Sequence, residues 1–458
     1  MKHLLFSLPY GIGFRNIVCC GIVQACLAAK ARATVLLPRL SDDDRRRIVG
    51  QLPVGVDVQE LMPARHSAAF TGLKLIKQHL YARRTGLDSF RVKHERRRRE
   101  QPLLHVGATA AERLAELCCS EEWVDRQIAA SRQPYEAHYD ALLRDLKVDA
   151  IVLAKPGYQP EDLALIKSAR RRRTPTISVD TTWDNIVSKR PAYLAPDRLT
   201  AWNGRMRDEA VTFYRLDPKG VPVTGGSAFD VFFQRDRLLP RADFLRTMNL
   251  DPSRQLIVFT LNNPLYNPQN PLFVKFLLDA VEAQAIRHQP NVVIRMHPWD
   301  RNSNHEKLVA RYPRVYLERP FGVPDSTSVY ECIPSQDEVL HYGALVTHAD
   351  VLINIGSTTS LDAIASDTPV VNIAFDIEKT APELSTARFY DYTHYKPIVE
   401  SRAVRVVDSR EMFFDVMNAY LADRGIDRDL RARASREFLT FADGESASRV
   451  ATAITSLG

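Results

Sequence analysis

The chain alternates short apolar runs with longer stretches whose apolar residues recur at helical spacing. Residues 3–8 are an apolar run, 9–13 carry Pro9, Gly11 and Gly13, 16–30 are apolar with helical periodicity, and 33–37 are apolar again. That order predicts strand, Gly-rich turn, helix and strand, the opening of a parallel α/β unit. The alternation returns with strands at 150–153 and 176–179 around a helix at 161–173, and one doubly wound domain is expected to end near Tyr214. Asp217, Pro218 and Gly220 then introduce a connection, and further strands are predicted at 256–260, 292–296, 351–355 and 369–373. The expected fold class is α/β, with two Rossmann-like doubly wound domains, 1–220 and 221–432, facing a cleft. Ligands of such sheets bind beyond the carboxyl ends of the strands.

Composition narrows the class. A chain of 458 residues, 45% hydrophobic and 26% charged, suits two or three globular domains and excludes both a single small module and a disordered chain. Lys plus Arg (62) over Asp plus Glu (55) leaves a net charge of +7, which favours anionic partners without choosing among them. Within residues 66–100 apolar positions such as Leu73, Ile76 and Leu80 interleave with Lys74, Lys77, Arg83 and Arg84, and Arg96, Arg97, Arg98 and Arg99 form a continuous basic run. This reads either as a solvated helix face or as a basic amphipathic patch for anionic membrane. No RNA or DNA module accompanies it, so nucleic acid is not an expected partner. The six cysteines form no disulfide framework or metal pattern and read as the reduced thiols of a cytoplasmic protein. The apolar stretch 17–29 falls short of the ~20 residues of a spanning helix and reads as neither an export signal nor a membrane span.

Three segments carry candidate chemistry. In the first, the apolar residues 350–355 run into Gly356, Ser357, Thr358 and Thr359 and then a helical pattern. Free backbone N–H groups beside hydroxyls make a phosphate cradle, although the same turn also reads as a plain helix N-cap. Asp362, about one and a half turns in, is placed to accept hydrogen bonds from ribose hydroxyls, or else is a surface carboxylate. In the second, a strand ends in Arg295, His297 and Pro298, where proline stops the ladder and Arg and His can donate to phosphate oxygens. In the third, Asp180, Trp183, Asp184 and Asn185 close the last strand of the first domain, on the side of Gly11, Gly13, Arg15 and Asn16. Asp184 lies beyond the strand end and is the chosen general base toward a hydroxyl; Asp180 sits closer to the sheet and is expected to hold the loop. Asp184 as a helix cap is the competing reading. The dinucleotide fingerprint is incomplete, because Asn16 stands where glycine or alanine is wanted, so NAD is not proposed. HExxH, GxSxG and Walker A patterns are absent from the sequence.

Together these residues resemble the GT-B superfamily of nucleotide-sugar glycosyltransferases, in particular enzymes of bacterial surface carbohydrate and capsule assembly and the neighbouring CDP-glycerol glycerophosphotransferases. The resemblance rests on 182–185, Trp202 and Asn203 with Glu209 and Ala210, Thr224 and Gly225 with Phe229 and Asp230, Arg295 with His297 and Pro298, and Asn354 to Thr358 through Phe375 and Asp376. Residues 40–145 match nothing in it. It implies a C-terminal donor domain in which His297 and the Ser357, Thr358, Thr359 turn contact phosphate, Thr224, Gly225 and Gly226 enter from the linker, and the first domain receives the acceptor through Gly11, Gly13, Arg15, Asn16, Trp183 and Asn185. It also implies that 433–458 holds a terminal helix folding back to the first domain. Many retaining members carry two glutamates eight residues apart where this chain has Asn354 and Asp362, so an inverting, metal-independent transfer is expected. No cofactor is implied; the co-substrate is a UDP- or CMP-linked sugar, and the acceptor is a glycan or a lipid-linked carrier reached from the cytoplasmic membrane face. The alternatives are a CDP-glycerol-type transfer, a nucleotide-sugar 2-epimerase and, from a different class, a noncatalytic sugar- or membrane-binding protein on the same fold.

Overall fold

The computed structural model describes residues 1–300, 302, 304–320 and 334–457. The chain divides into two compact units, Met1–Ala228 with Glu445–Gly458, and Phe229–Gly444. The first unit holds six parallel strands, β1 His3–Ser7, β2 Arg32–Pro38, β3 Asp57–Leu61, β4 Ala150–Leu153, β5 Thr176–Val179 and β6 Arg198–Thr200, in the order β3-β2-β1-β4-β5-β6. The second holds β7 Leu256–Thr260, β8 Asn291–Arg295, β9 Val315–Glu318, β10 Val351–Asn354, β11 Val370–Ile373 and β12 Arg405–Val407, in the order β12-β11-β10-β7-β8-β9. Both are the same doubly wound sequence read from opposite edges, with the direction of strand addition reversing between the first and fourth strand of each unit while all strands stay parallel. The inner strands are apolar at nearly every position because helices cover both faces.

The short edge strands β3, β6, β9 and β12 were not among the predicted ones. They are exposed or interrupted by polar residues, so no apolar run marks them; β3 is Asp57–Leu61 with only Leu61 buried. The helix expected over 16–30 begins at Gly11, passes through a π-helical turn at Arg15–Cys19, and breaks at Gly21, whose φ of +87° favours glycine. By length and composition Gly11–Ala28 is apolar enough to cross a membrane, with mean hydropathy 1.5, and 56% of it is buried.

The division between units lies at 228/229 and 444/445 rather than at 220/221 and 432/433. Val223 bridges to Ala201 and the Thr224 amide donates to the Ala201 carbonyl, so the connection extends the first sheet before it leaves. The helix Arg428–Phe438 stays with the second unit, because the fully buried Arg431 guanidinium donates to Asp367 (2.8 Å) and to the carbonyls of Ile426 and Arg424. Only the helix Ser446–Thr455 joins the first unit, where Lys2 donates to the Thr455 carbonyl.

Residues 66–100 become two helices, Ala68–Thr85 and Asp88–Glu100. The first buries Phe70, Lys77 and Tyr81, with the Tyr81 hydroxyl donating to the Ile186 carbonyl at 2.9 Å, so it is a packed helix of the first unit. On the second, Arg96 pairs with Glu100, while Arg97, Arg98 and Arg99 are exposed. The five described cysteines are free thiols, and Cys332 lies outside the described residues.

Candidate functional sites at the strand ends

In the first unit the loops after β1, β4 and β5 converge. Gly13 is required there, since a Cβ at this position would stand 2.8 Å from the Ala154 Cβ, at the end of β4. Tyr10 donates its hydroxyl to the Ala154 carbonyl and lies 3.1 Å from Thr181 Oγ1. Asn16 donates to the Thr181 carbonyl at 2.8 Å and receives Arg15 on its own oxygen. Gly11, Gly13 and Asn16 are buried and Arg15 is half-buried, so these residues support the loop after β5 from beneath.

That loop is held at both ends. Asp180 is 2% exposed; its Oδ1 accepts from the Asn185 amide and, at 3.4 Å, from the Thr182 N–H, and its carbonyl accepts from the Trp202 indole at 2.9 Å. Asn185 and Trp183 are buried. Asp184 remains partly open, its side chain 18% exposed and paired with Lys189 at 3.0 Å. It precedes a π-helical turn, Asn185–Lys189, without a side-chain cap bond. Of the two aspartates, Asp184 is therefore the one solvent and a ligand can reach.

Lys155, directly after β4, was not singled out from the sequence. The strand at 150–153 ends in Lys155, Pro156 and Gly157 much as the strand at 292–296 ends in His297 and Pro298, and that parallel was the available signal. Lys155 is 7% exposed, with Nζ 3.3 Å from Thr181 Oγ1, 3.4 Å from Asn185 Oδ1 and 4.7 Å from the Tyr10 ring centroid. Burial, with Lys189 adding to it, lowers the Lys155 pKa, while burial raises that of Asp180 against the opposing pull of Lys155. Glu209, on the helix Gly204–Tyr214 beyond β6, is pushed up to about 8 by burial. Asp162 also rises to about 8 through burial, although the Ser7 hydroxyl donates to it.

In the second unit the reversal lies between β7 and β10. Thr260 ends β7 and its hydroxyl lies 3.1 Å from Thr359 Oγ1; Asn262 donates to the Ile355 carbonyl at 2.7 Å. Gly356 adopts φ +54°, and a Cβ there would lie 2.5 Å from the Phe389 Cβ, so only glycine fits the turn. Asn354 accepts from the Ser357 amide at 3.1 Å and donates to Ser360, which also bonds Tyr395 and Asn372. Ser357 accepts from the Thr359 amide at 3.4 Å, and Thr358 is exposed. The turn is thus fixed by uncharged amides and hydroxyls.

The charges expected to meet phosphate are spent elsewhere. Arg295 pairs with Glu318 and stacks at 4.6 Å on the Tyr342 ring, and His341 reaches the same carboxylate at 3.0 Å. Burial alone would raise the Glu318 pKa, but Arg295 and His341 hold it at about 2. His297, next to Pro298, is lowered to about 4 by burial, so it is neutral near pH 7. Its Nδ1 accepts from the Trp299 amide at 3.1 Å, which places the proton on Nε2 and makes that atom a donor. Asp362 lies in the first turn of the helix Thr359–Ala365, not one and a half turns in, and accepts from the Tyr342 hydroxyl at 2.6 Å. Thr224, Gly225 and Gly226 are buried in the first unit rather than entering the second.

Cavities of about 650 and 370 Å³ lie away from these strand ends. The larger is lined by His348, Asp367 and Arg424, at the amino edge of the second sheet. Among the described residues no group of three or more His, Cys, Asp or Glu is placed to hold a metal ion.

Two six-stranded Rossmann-like domains, with the last helix returned to the first, define the GT-B class of fold. No protein-family model and no curated protein sequence matches the chain. Solved structures do. UDP-GlcNAc 2-epimerase from Neisseria meningitidis, bound to UDP-GlcNAc, is similar with a TM-score of 0.57 and 10% identity over 99% of this chain and 100% of that one. UDP-GlcNAc 2-epimerase from Methanocaldococcus jannaschii gives 0.55 and 11% over 99% of each chain, and the glycotransferase of kitacinnamycin gives 0.50 and 12% over 99% of each.

Proposed function

We propose that this chain is an enzyme acting on a nucleotide sugar, with the nucleotide held by the second unit and proton chemistry carried by the first. The observation that carries the reading is the cluster of reachable and buried acid–base groups after β4, β5 and β6, namely Asp184, Lys189, Lys155, Asp180 and Glu209, in a chain of GT-B fold. Epimerisation at the sugar's carbon 2 is favoured over transfer. Inverting a C–H centre requires a proton removed from one face and returned to the other, a task for several acid–base groups, and the similarity to 2-epimerase structures spans the whole chain.

Transfer of the sugar to a glycan or lipid-linked acceptor is the second reading, favoured by the half-open Asp184 as a single base and by the glycotransferase of the same fold. CDP-glycerol-type transfer stands on the resemblance of the sequence motifs alone. Incubating the protein with UDP-GlcNAc in deuterated water separates these. An epimerised nucleotide sugar carrying solvent deuterium at carbon 2 is the expected result. Nucleotide release that depends on an added glycan acceptor would instead support transfer, and no change in UDP- or CMP-sugars or CDP-glycerol would remove the proposal.

Under the transfer reading a cytoplasmic site at the membrane face follows, with exposed Arg97, Arg98 and Arg99 toward anionic lipid at ~1 kcal/mol each. Replacing the three by Gln should reduce cosedimentation with phosphatidylserine vesicles at low salt. Equal cosedimentation of both proteins would remove the membrane contact.

A further inference from the structure

Lys155 binds three partners drawn from two loops. The Tyr10 ring comes from the loop after β1, and Thr181 and Asn185 stand toward the two ends of the loop after β5. Asn185 extends the chain of contacts, since its Nδ2 donates to Asp180 while its Oδ1 also accepts from Tyr158 at 2.7 Å and Thr182 at 2.8 Å. Amine and carboxyl therefore stand at opposite ends of one amide. The second carboxyl oxygen, Asp180 Oδ2, is buried with no hydrogen-bond partner among the described residues. A bare carboxylate so placed is unfavourable unless a cation stands nearby, and Lys155 is that cation.

We propose that Lys155 is a positioning residue that clamps the loop 180–185 and forms with Asp180 one buried acid–amine unit, whose shared charge sets the conformation in which Asp184 is presented. The proposal rests on the reading of the first unit as the acid–base half of a nucleotide-sugar enzyme. Burial pushes amine and carboxyl toward their neutral forms, Lys189 disfavours the ammonium further, and Asp184 favours it. Tyr10, Tyr158, Tyr214 and Glu209 are further titratable groups that interact with the Asp180 carboxyl. At high pH the amine loses its charge and its grip on Thr181 and Asn185 weakens. At low pH the carboxyl is protonated and Lys155 is left as a lone buried cation. The loop is held best between these limits.

The first test needs no substrate. In protein labelled with carbon-13 at lysine Cε and aspartate Cγ, the Lys155 and Asp180 signals, assigned with Lys155→Met and Asp180→Asn, should respond to the same two transitions, that of the amine below the usual lysine range. A Lys155 signal that titrates alone in the ordinary lysine range would overturn the proposal. The second test is turnover of UDP-GlcNAc against pH. Lys155→Met and Asn185→Ala should each lower kcat about tenfold or more, leave KM within about twofold, and move the limbs of the pH profile by about a unit. Unmoved limbs would equally overturn it. If Lys155→Met fails to fold by circular dichroism, Asn185→Ala and the wild-type titration decide. Shared titration without turnover of any nucleotide sugar sinks the functional reading and leaves the pair standing; turnover with independent titrations does the reverse.

Discussion

The two sheets share one strand order, yet the loops past their central strands carry opposite chemistry. Behind β4 and β5 stand Lys155, Asp180, Asp184 and Lys189, with burial moving the first two toward neutrality. Behind β7 and β10 stand Thr260, Asn262, Asn354, Ser360 and Tyr395, none of which changes charge near neutral pH, beside a His297 that burial keeps uncharged. In that second region Arg295 and Glu318 are paired with each other, His341 reaches the same carboxylate, and Asp362 accepts from the Tyr342 hydroxyl. The same backbone frame thus delivers exchangeable protons at one set of strand ends and fixed dipoles at the other. What differs is only the residue type placed just past each strand, because there a side chain escapes the sheet but not the low-dielectric surroundings that shift its pKa.

The comparison is broken most severely by removing the proton-exchanging group. Asp184→Asn should lower turnover by ~10²–10⁴ while nucleotide affinity, measured by calorimetry, persists. Near-wild-type turnover would make Asp184 a structural partner of Lys189 and return the search to Glu209 and Asp180.

The next effect is on stability against pH. Asp162 has a folded-state pKa of about 8 against an ordinary value of 3.8, so the folded chain binds the extra proton. Its contribution is present below the ordinary value and is lost as pH rises toward about 8, with an upper bound of roughly 6 kcal/mol at ~1.4 kcal/mol per pKa unit. Thermal melts of the wild type should therefore weaken from pH 5 to 9, and Asp162→Asn should flatten that slope. An unchanged slope in the variant would assign the pH dependence to Glu209, whose carboxyl is raised similarly.

Glycine at each region sharpens the contrast between units. Gly157 has φ +76° and a Cβ there would meet the Leu194 carbonyl oxygen at 2.0 Å, so Gly157→Ala should destabilise the first unit by roughly 3 kcal/mol. Gly356→Ala, against the Phe389 side chain, should cost the second unit roughly 2 kcal/mol. Hydrogen exchange separates the two, with protection lost in β4 and β5 in one variant and in β10 and β11 in the other. Exchange rising equally in both units would contradict their separate cores.

The smallest change is expected at His297. Because the ring is neutral, His297→Ala removes one uncharged donor, and nucleotide affinity should fall by ~1 kcal/mol, about fivefold, with no dependence on pH from 6 to 8. A loss that grows steeply below pH 7 would show that the imidazolium form binds.

Much of this fold was legible in the chain before any coordinates. The inner strands declared themselves as apolar runs, because burial on both faces leaves no polar alternation to hide them. Gly13 and Gly356 were visible as turn residues, and the Gly356 to Thr359 turn and the Asp180 to Asn185 loop were found where the strands end. The edge strands were not legible, since a half-exposed strand such as Asp57–Leu61 has the composition of a loop.

Nor could the sequence assign charge to its partners. Arg295 reads as a phosphate ligand until Glu318, 23 residues on, is brought beside it by the pairing of β8 with β9. Nothing adjacent in sequence marks Lys155 as buried; the pairing of β4 with β5 sets it beside Thr181 and Asn185 and closes water out around it. Local pattern determined which segments become strands and where they stop, because that depends on near neighbours. Which titratable groups are buried, paired or left open was decided by tertiary structure, because desolvation and Coulomb energy depend on everything within a few ångströms, whatever its distance along the chain.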